Sequence, residues 1–265
     1  MGAPTATPTG PQPDDGEVVR YAVRDAVATV TLDSPANRNA LSRALVAGFE
    51  AALDRAAADR DVRAVVLTHT GTTFCAGADL REALADGVEA TARTLLRLLR
   101  GIVAHRCPVV ALVDGHVRAG GLGLVGACDV VVAGRRSTFA FTESRLGLAP
   151  AVISAVTTPR MTSRAAGRYY LTGETFDATQ AQDAGLVTVA ADDPAAAAEE
   201  VLAALRLCSP QGLAESKKVA AAGVLAALDA TGPALATLSA SLFASDEARE
   251  GMTAFAERRP PSWAR

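Results

Sequence analysis

Residues 108–133 read PVVALVDGHVRAGGLGLVGACDVVVA. Two short, continuous apolar runs, Pro108–Val113 and Val130–Ala133, bracket the stretch. Such β-branched runs mark strands buried on both faces. The small residues of Ala119–Ala127 between them predict a short helix. Strand, helix and strand in so short a span imply a parallel pair with a crossover.

The same alternation extends upstream. Val18–Arg24 and Ala26–Leu32 predict two strands meeting at a tight turn near Asp25. A polar loop with Pro35, Asn37 and Asn39 follows. Ser42 is placed to cap a helix running to about Ala58, with Ala44, Leu45, Phe49, Ala52 and Leu53 on its apolar face. Ala64–Leu67 predicts a buried strand. TGTTFCAGADL, residues 70–80, reads as a Gly-bearing loop ending in a helix start at Ala78–Leu80. Helical patterning resumes over Glu89–Ala104.

Downstream, Thr138–Thr142 predicts a short strand. After Leu148 the pattern becomes helical: Ser163–Leu171, Ala178–Ala184, Pro194–Leu207, Gly212–Leu228 and Ala234–Arg258, with one strand near Val187–Ala190. The expected class is α/β, built from repeated strand–strand–helix units with a helical C-terminal region for capping or assembly. Residues 1–16, rich in Pro, Thr, Gly and Asp, predict a disordered tail. Residues 17–265 then form one domain: a core to about 195 and a helical region over about 196–265.

The 265 residues are 49% hydrophobic and 4% aromatic, with a formal net charge of −3. That balance argues against a nucleic-acid or membrane partner. No stretch reaches the roughly 18 consecutive apolar residues of a membrane span. Cys75, Cys107, Cys128 and Cys208 match no metal spacing, and His69, His105 and His116 form no pair. Reduced, structural cysteines in a cytoplasmic protein are expected.

Gly121-Leu-Gly123-Leu-Val-Gly126 spells the dinucleotide-binding G-x-G-x-x-G. Several residues separate it from the strand ending at Val113. Its helix is cut short by the strand at Asp129-Val-Val-Val, and the helices after Leu148 do not continue a βαβ series. A second use of these glycines is close backbone approach to a ligand with unobstructed N–H groups. The same holds for Ala76-Gly-Ala-Asp79, so two N–H groups from two loops can meet one oxyanion. Simple packing glycines remain the third reading.

Taken in order, several segments resemble the enoyl-CoA hydratase/isomerase, or crotonase, superfamily. They are Ser34-Pro-Ala-Asn-Arg-Asn-Ala-Leu41, Phe74-Cys-Ala-Gly-Ala-Asp-Leu80, Asp114–Leu124 with Ala127-Cys-Asp129, and Phe141–Pro150. Leu171-Thr-Gly173, Ala184-Gly-Leu-Val187 and Glu250–Phe255 match as well. The resemblance implies a crotonase-like superhelix of ββα units, acyl-CoA thioester substrates, no metal or redox cofactor, and a homotrimer or dimer of trimers. It implies oxyanion donors at the Ala78 and Gly120 N–H groups and a catalytic carboxylate at Glu143. CoA or substrate contacts fall on Ala36, Arg38, Ala76, Asp79, Leu80, Gly121, Phe255 and Arg258.

One departure matters. The two-glutamate hydratases of the family carry their first glutamate at the position of Gly123. Hydration needs a water deprotonated at the β-carbon and a proton delivered to the α-carbon; double-bond isomerisation needs one carboxylate to shuttle a proton. Mechanism therefore leans toward an isomerase. Gly121–Asp129 with Leu146–Ser154 leans back, being similar to bacterial hydratases of branched glutaconyl-type CoA esters, some with a small residue at that position. Arg118 is a candidate partner for a substrate carboxylate, and Glu82 a candidate second carboxylate. The first expectation is an enoyl-CoA hydratase-like lyase, the alternative an enoyl-CoA isomerase. A non-catalytic acyl-CoA binding protein or a nicotinamide-dependent dehydrogenase stand as different classes.

Overall fold

A computed structural model describes residues 17–264; the expected tail over 1–16 lies outside them. The chain opens with β1 (Val19–Arg24) and β2 (Val27–Leu32), an antiparallel hairpin whose turn residues Asp25 and Ala26 both take positive φ. That geometry matches the right-handed twist of the strands it joins. α1 (Arg43–Ala58) follows, capped by Ser42 Oγ accepting the Leu45 N–H. Next come β3 (Ala64–His69), β4 (Thr73–Cys75), α2 (Leu80–Asp86) and α3 (Val88–Ala104). β5 (Val109–Val113), β6 (His116–Arg118) and α4 (Gly120–Ala127) form the next unit. β7 (Val130–Gly134), β8 (Thr138–Ala140), a 3-10 turn at Glu143–Leu146 and α5 (Ala151–Thr157) form another. The remainder is α6 (Ser163–Thr172), β9 (Phe176–Asp177), α7 (Ala178–Asp183), β10 (Val189–Ala191), α8 (Pro194–Arg206), α9 (Pro210–Phe243) and α10 (Asp246–Ala256).

Two sheets result. The larger has the order β1-β2-β3-β5-β7-β10, parallel from β2 onward. The smaller has the order β4-β6-β8-β9, with β4, β6 and β8 parallel. The first hairpin lies wholly in the large sheet, and the pairs β3/β4, β5/β6 and β7/β8 each send the longer strand to the first sheet and the three-residue strand to the second. The sequence reading found the long strands and missed β4 and β6, because three residues are too few to express a period of two. It also missed α5 and β9. β10 extends the parallel sheet, so the stretch after Leu148 is not purely a helical appendage.

One face of the large sheet packs on α1, α3 and α4 in the main core, where Leu45, Phe49, Leu98, Leu99 and Leu122 are buried. The other face carries Val27, Val66, Val110 and Val132, covered by Ala198 and Leu202 of α8. α8, the first element of the expected helical region, thus covers the second face of the sheet. The few aromatics cluster where the small sheet meets α6: Tyr169 stacks on Phe176 at 3.9 Å, and Phe141 lies 4.7 Å from Tyr170.

The expected helices Gly212–Leu228 and Ala234–Arg258 are divided elsewhere. α9 runs through Pro233, and the break falls at Ala244–Ser245, where Ser245 Oγ caps α10. An interior proline costs about 3 kcal/mol or more. Here α9 packs along α3 and α5, with Gly232 against Leu96, and that packing holds the helix together. α9 is long and apolar enough by length and composition to cross a membrane, with 28% of its most apolar window buried in the chain.

The N-terminal half of α9 is fixed by Lys217, whose ammonium is nearly sealed from solvent. Its Nζ donates to Asp129 Oδ2 at 2.7 Å, to the Ile102 carbonyl at 2.9 Å and to the Cys107 carbonyl at 3.1 Å. The same Asp129 oxygen accepts the Val109 N–H at 2.7 Å. Removing the ammonium leaves the buried Asp129 carboxylate without its counter-charge and takes one donor from each carbonyl. Lys217→Met is expected to lower the unfolding free energy by about 3 kcal/mol in urea titration. A loss below about 1 kcal/mol would show that water replaces the ammonium.

Candidate active site

The small sheet builds the site. β4 leads into Ala76-Gly77-Ala78, β6 into Ala119-Gly120, and β8 into Phe141-Thr142-Glu143. β6 lies between its two parallel neighbours, with Cys75 in register with Val117 and Arg118 with Ala140. All three candidate segments thus leave the same, carboxyl end of one sheet, the usual place for ligands in parallel α/β structures.

The first two segments touch through backbone. A Cβ on Gly77 would lie 2.8 Å from the Ala119 Cβ and 3.1 Å from the Gly120 nitrogen. A Cβ on Gly120 would lie 3.4 Å from Gly77 Cα and 3.7 Å from the Ala78 nitrogen. Gly77 has φ +95°, which a side chain would strain. Ala119 adopts φ 45°, ψ −121° at the cap of α4. A non-glycine residue there stores about 1–3 kcal/mol of strain. The Ala78 and Gly120 N–H groups donate to no acceptor among the described residues. Two free donors held side by side, one on the first turn of a buried helix, fit a developing oxyanion.

The loop before α1 is stitched to the first of these segments. Ala76 N–H donates to the Arg38 carbonyl at 3.1 Å and Leu41 N–H to the Gly77 carbonyl at 2.8 Å. Asn39, fully buried, sends Nδ2 to the Thr70 and Thr73 carbonyls at 3.0 and 2.8 Å and accepts the Ser34 N–H at 2.7 Å. The sequence reading had not singled out Asn39. This brings Ala36, Arg38, Ala76 and Asp79 into one region. Asp79 is engaged structurally: it caps α2 and accepts Asn37 Nδ2 at 3.0 Å. That hydrogen bond holds its carboxyl below the usual range. Leu80 is exposed. Phe255 is also exposed, on α10, which packs against the Glu143 turn and α9; the Arg258 side chain has no ion pair among the described residues.

Two candidates turn out to brace the fold. Arg118 donates to the Val117 and Thr138 carbonyls at 2.8 Å each and to Thr138 Oγ1 at 2.9 Å, tying β6 to β8. These contacts engage three of its five N–H donors with neutral oxygens, so the guanidinium braces the sheet while its charge has no carboxylate partner among the described residues. Glu82 Oε2 accepts the Arg43 N–H at 2.6 Å at the start of α1, which gives this candidate carboxylate a structural partner.

Gly123 is the decisive position. A Cβ there would lie 2.7 Å from Ile153 Cγ2 and 3.3 Å from Leu99 Cδ1. Apolar side chains from α5 and α3 thus stand where a side chain at position 123 would begin. Gly121 and Gly126 pack likewise, against the Cys75 carbonyl and Thr157, so the three G-x-G-x-x-G glycines all make close packing contacts. The missed helix α5 hid Ile153; the apolar run Ala151–Val156 after Pro150 was the available signal.

Glu143 is partly buried, and its Oε2 is sealed with no hydrogen-bond partner among the described residues. Ser144 Oγ is likewise without one. Burial pushes the Glu143 carboxyl from near 4.5 up to about 7. Two open clefts, of about 530 and 440 Å³, lie elsewhere and are not lined by Glu143, Ala78 or Gly120. Cys75, Cys107 and Cys128 are buried thiols, with Cys75 and Cys128 pushed up to about 12 by burial; Cys208 is exposed, against its apolar sequence context.

The family model described as "Enoyl-CoA hydratase/isomerase" matches residues 22–265. A solved enoyl-CoA hydratase from Mycobacterium avium is 54% identical, covering 93% of this chain and 99% of that one, with a TM-score of 0.89. A solved enoyl-CoA hydratase from Shewanella pealeana is 33% identical, covering 93% and 96%, with a TM-score of 0.74. The 2,3-dehydroadipyl-CoA hydratase of Escherichia coli K12 is 32% identical over 241 residues, covering 89% of this chain and 94% of its own.

The raised carboxyl has a thermodynamic consequence. Between about pH 4.5 and 7 the folded state binds more protons at Glu143 than the unfolded state, so this group lowers stability as pH rises. Glu143→Gln removes that penalty. The variant is expected to be more stable than the parent by about 1–3 kcal/mol at pH 8. The difference should vanish as pH falls toward 4.5. Equal stability at pH 8, or a gain that persists in acid, would contradict the assignment.

Proposed function

The chain belongs to the enoyl-CoA hydratase/isomerase family, and from that membership we propose an enoyl-CoA hydratase-like lyase working with a single carboxylate. The observation that carries the reading is the Glu143 carboxyl, its Oε2 sealed and unpartnered and its pKa raised by burial to about 7, at the sheet end that also presents the Ala78 and Gly120 N–H groups. A base titrating near neutral pH both accepts and returns a proton readily. The hydratase names of the relatives support hydration as the first reaction.

In hydration, the Glu143 carboxylate takes a proton from water as its oxygen adds to the β-carbon. Electrons move to the thioester oxygen, held by the two N–H donors. The enolate then collapses, and the Glu143 carboxyl gives its proton to the α-carbon. In this reading CoA enters only as part of the substrate, with Arg38 and Asp79 beside its path and no metal or redox cofactor. The cytoplasm is the proposed compartment, and the exposed apolar side of α9 suits the trimer or hexamer expected of the family.

A second reading draws on the packing at Gly123. Ile153 and Leu99 leave no room there for a partner that would orient water. Isomerisation needs no water: Glu143 removes an α-proton from a 3-enoyl-CoA and returns it to the γ-carbon, yielding the 2-enoyl isomer.

Ultraviolet absorbance of the conjugated thioester separates the two. Loss of absorbance from 2-enoyl-CoA esters marks hydration; gain from 3-enoyl-CoA esters marks isomerisation. Glu143→Gln is expected to lower kcat for either by about 10²–10⁴-fold. Silence across chain lengths and branched acids would overturn both readings, and full activity in the variant would remove Glu143 from the chemistry.

A further inference from the structure

α10 meets the turn that carries Glu143 through backbone. A Cβ on Gly251 would lie 2.5 Å from both the carbonyl carbon and oxygen of Leu146 and 2.7 Å from its Cα. From the turn's side, a Cβ on Gly147 would lie 2.6 Å from the Glu247 carbonyl carbon and 2.8 Å from the Ala248 nitrogen. Residues 247 and 251 stand one turn apart on the same helix face. Ala248, Gly251 and Ala254 are the buried positions of that face. The turn is held on another side by α6, where Arg145 Nε donates to the Thr172 carbonyl at 2.8 Å. Within the turn, the Gly147 and Leu148 N–H groups both point to the Glu143 carbonyl.

Side chains yield to a neighbour by changing rotamer; two backbones in contact have no such freedom. Any shift of α10 is therefore transmitted to the Glu143 turn. The position of α10 is itself tied to the chain end. Glu250, next to Gly251, takes two bonds from Arg259 at 2.8 and 2.9 Å and the Ser262 N–H at 2.8 Å.

We infer that Gly251 is a positioning residue for the Glu143 carboxyl: its missing side chain lets α10 seat directly on Leu146 and set where that carboxyl stands. The functional half of this inference rests on Glu143 being the proton carrier; the structural half does not. Tyr170 of α6 is the titratable side chain that interacts with Glu143; Arg145 lies in the same turn with its Nε on the Thr172 carbonyl, and Glu247 meets the turn through its backbone, so a change at 251 replaces none of these groups.

The test uses Gly251→Ala and Ala248→Gly, with Gly167→Ala, a helical glycine with nothing within 4 Å, as control. Each is read by steady-state kinetics on enoyl-CoA esters and by carbon-13 NMR titration of the Glu143 carboxyl, assigned with Glu143→Gln. In Gly251→Ala, kcat should fall at least about tenfold while KM changes by less than about threefold. The Glu143 midpoint should leave the neighbourhood of 7 and move down as the turn opens. Ala248→Gly should move both readouts the same way by less, and the control should move neither. An unchanged titration and kcat in folded Gly251→Ala, or in Ala248→Gly should the first not fold, overturns the inference. A shifted titration combined with an active Glu143→Gln would leave the positioning intact and refute the proposed chemistry instead.

Discussion

The site depends on one close approach: the backbone of Gly77 against that of Gly120. It is possible only because neither residue carries a side chain and because β4 and β6 run side by side. The approach sets the Ala78 and Gly120 N–H groups next to each other, each without an acceptor. Ala119 bears the backbone strain that turns the chain into α4 at this point. The large sheet and its two covered faces hold the small sheet rigid, and the small sheet aims the donors. Preorganised donors of this kind stabilise charge without reorganising during the reaction.

Glu143 stands under the opposite constraint. Its carboxyl lies in a closed environment that disfavours its charge, which makes it a base near neutral pH and a burden on stability at the same time. Where relatives of the two-glutamate type have a second carboxylate, this chain has Ile153 and Leu99. The void left by the glycine is not a water site; it is part of the hydrophobic core. In the proposed chemistry one carboxylate therefore handles every proton.

Much of the fold was legible because its long strands are unbroken apolar, largely β-branched runs and because helix starts at Ser42 and Asp79 carry recognisable caps. The small sheet was legible only at β8; β4, β6 and β9 are two or three residues each and depend on their neighbours rather than on local pattern. Pro233 misled for the reverse reason: packing along α3 overrode a strong local breaker. At the site, ordered motifs pointed to Ala78, Gly120 and Glu143, and the topology puts all three at one end of the small sheet. Arg118 and Glu82 also have structural partners the sequence did not show, because a charged residue near a motif is readily engaged by backbone carbonyls or a helix start. The filling of Gly123 was invisible without tertiary contacts, since Leu99, Gly123 and Ile153 come from three separate helices.

The most direct measurement is a crystal structure with a non-reacting acyl-CoA analogue bound. The thioester oxygen should lie roughly 2.7–3.1 Å from both the Ala78 and the Gly120 nitrogens, with the Glu143 carboxyl the only acid within reach of the α-carbon. A thioester oxygen bound away from these two N–H groups, or a second carboxylate at the α-carbon, would contradict the single-carboxylate account.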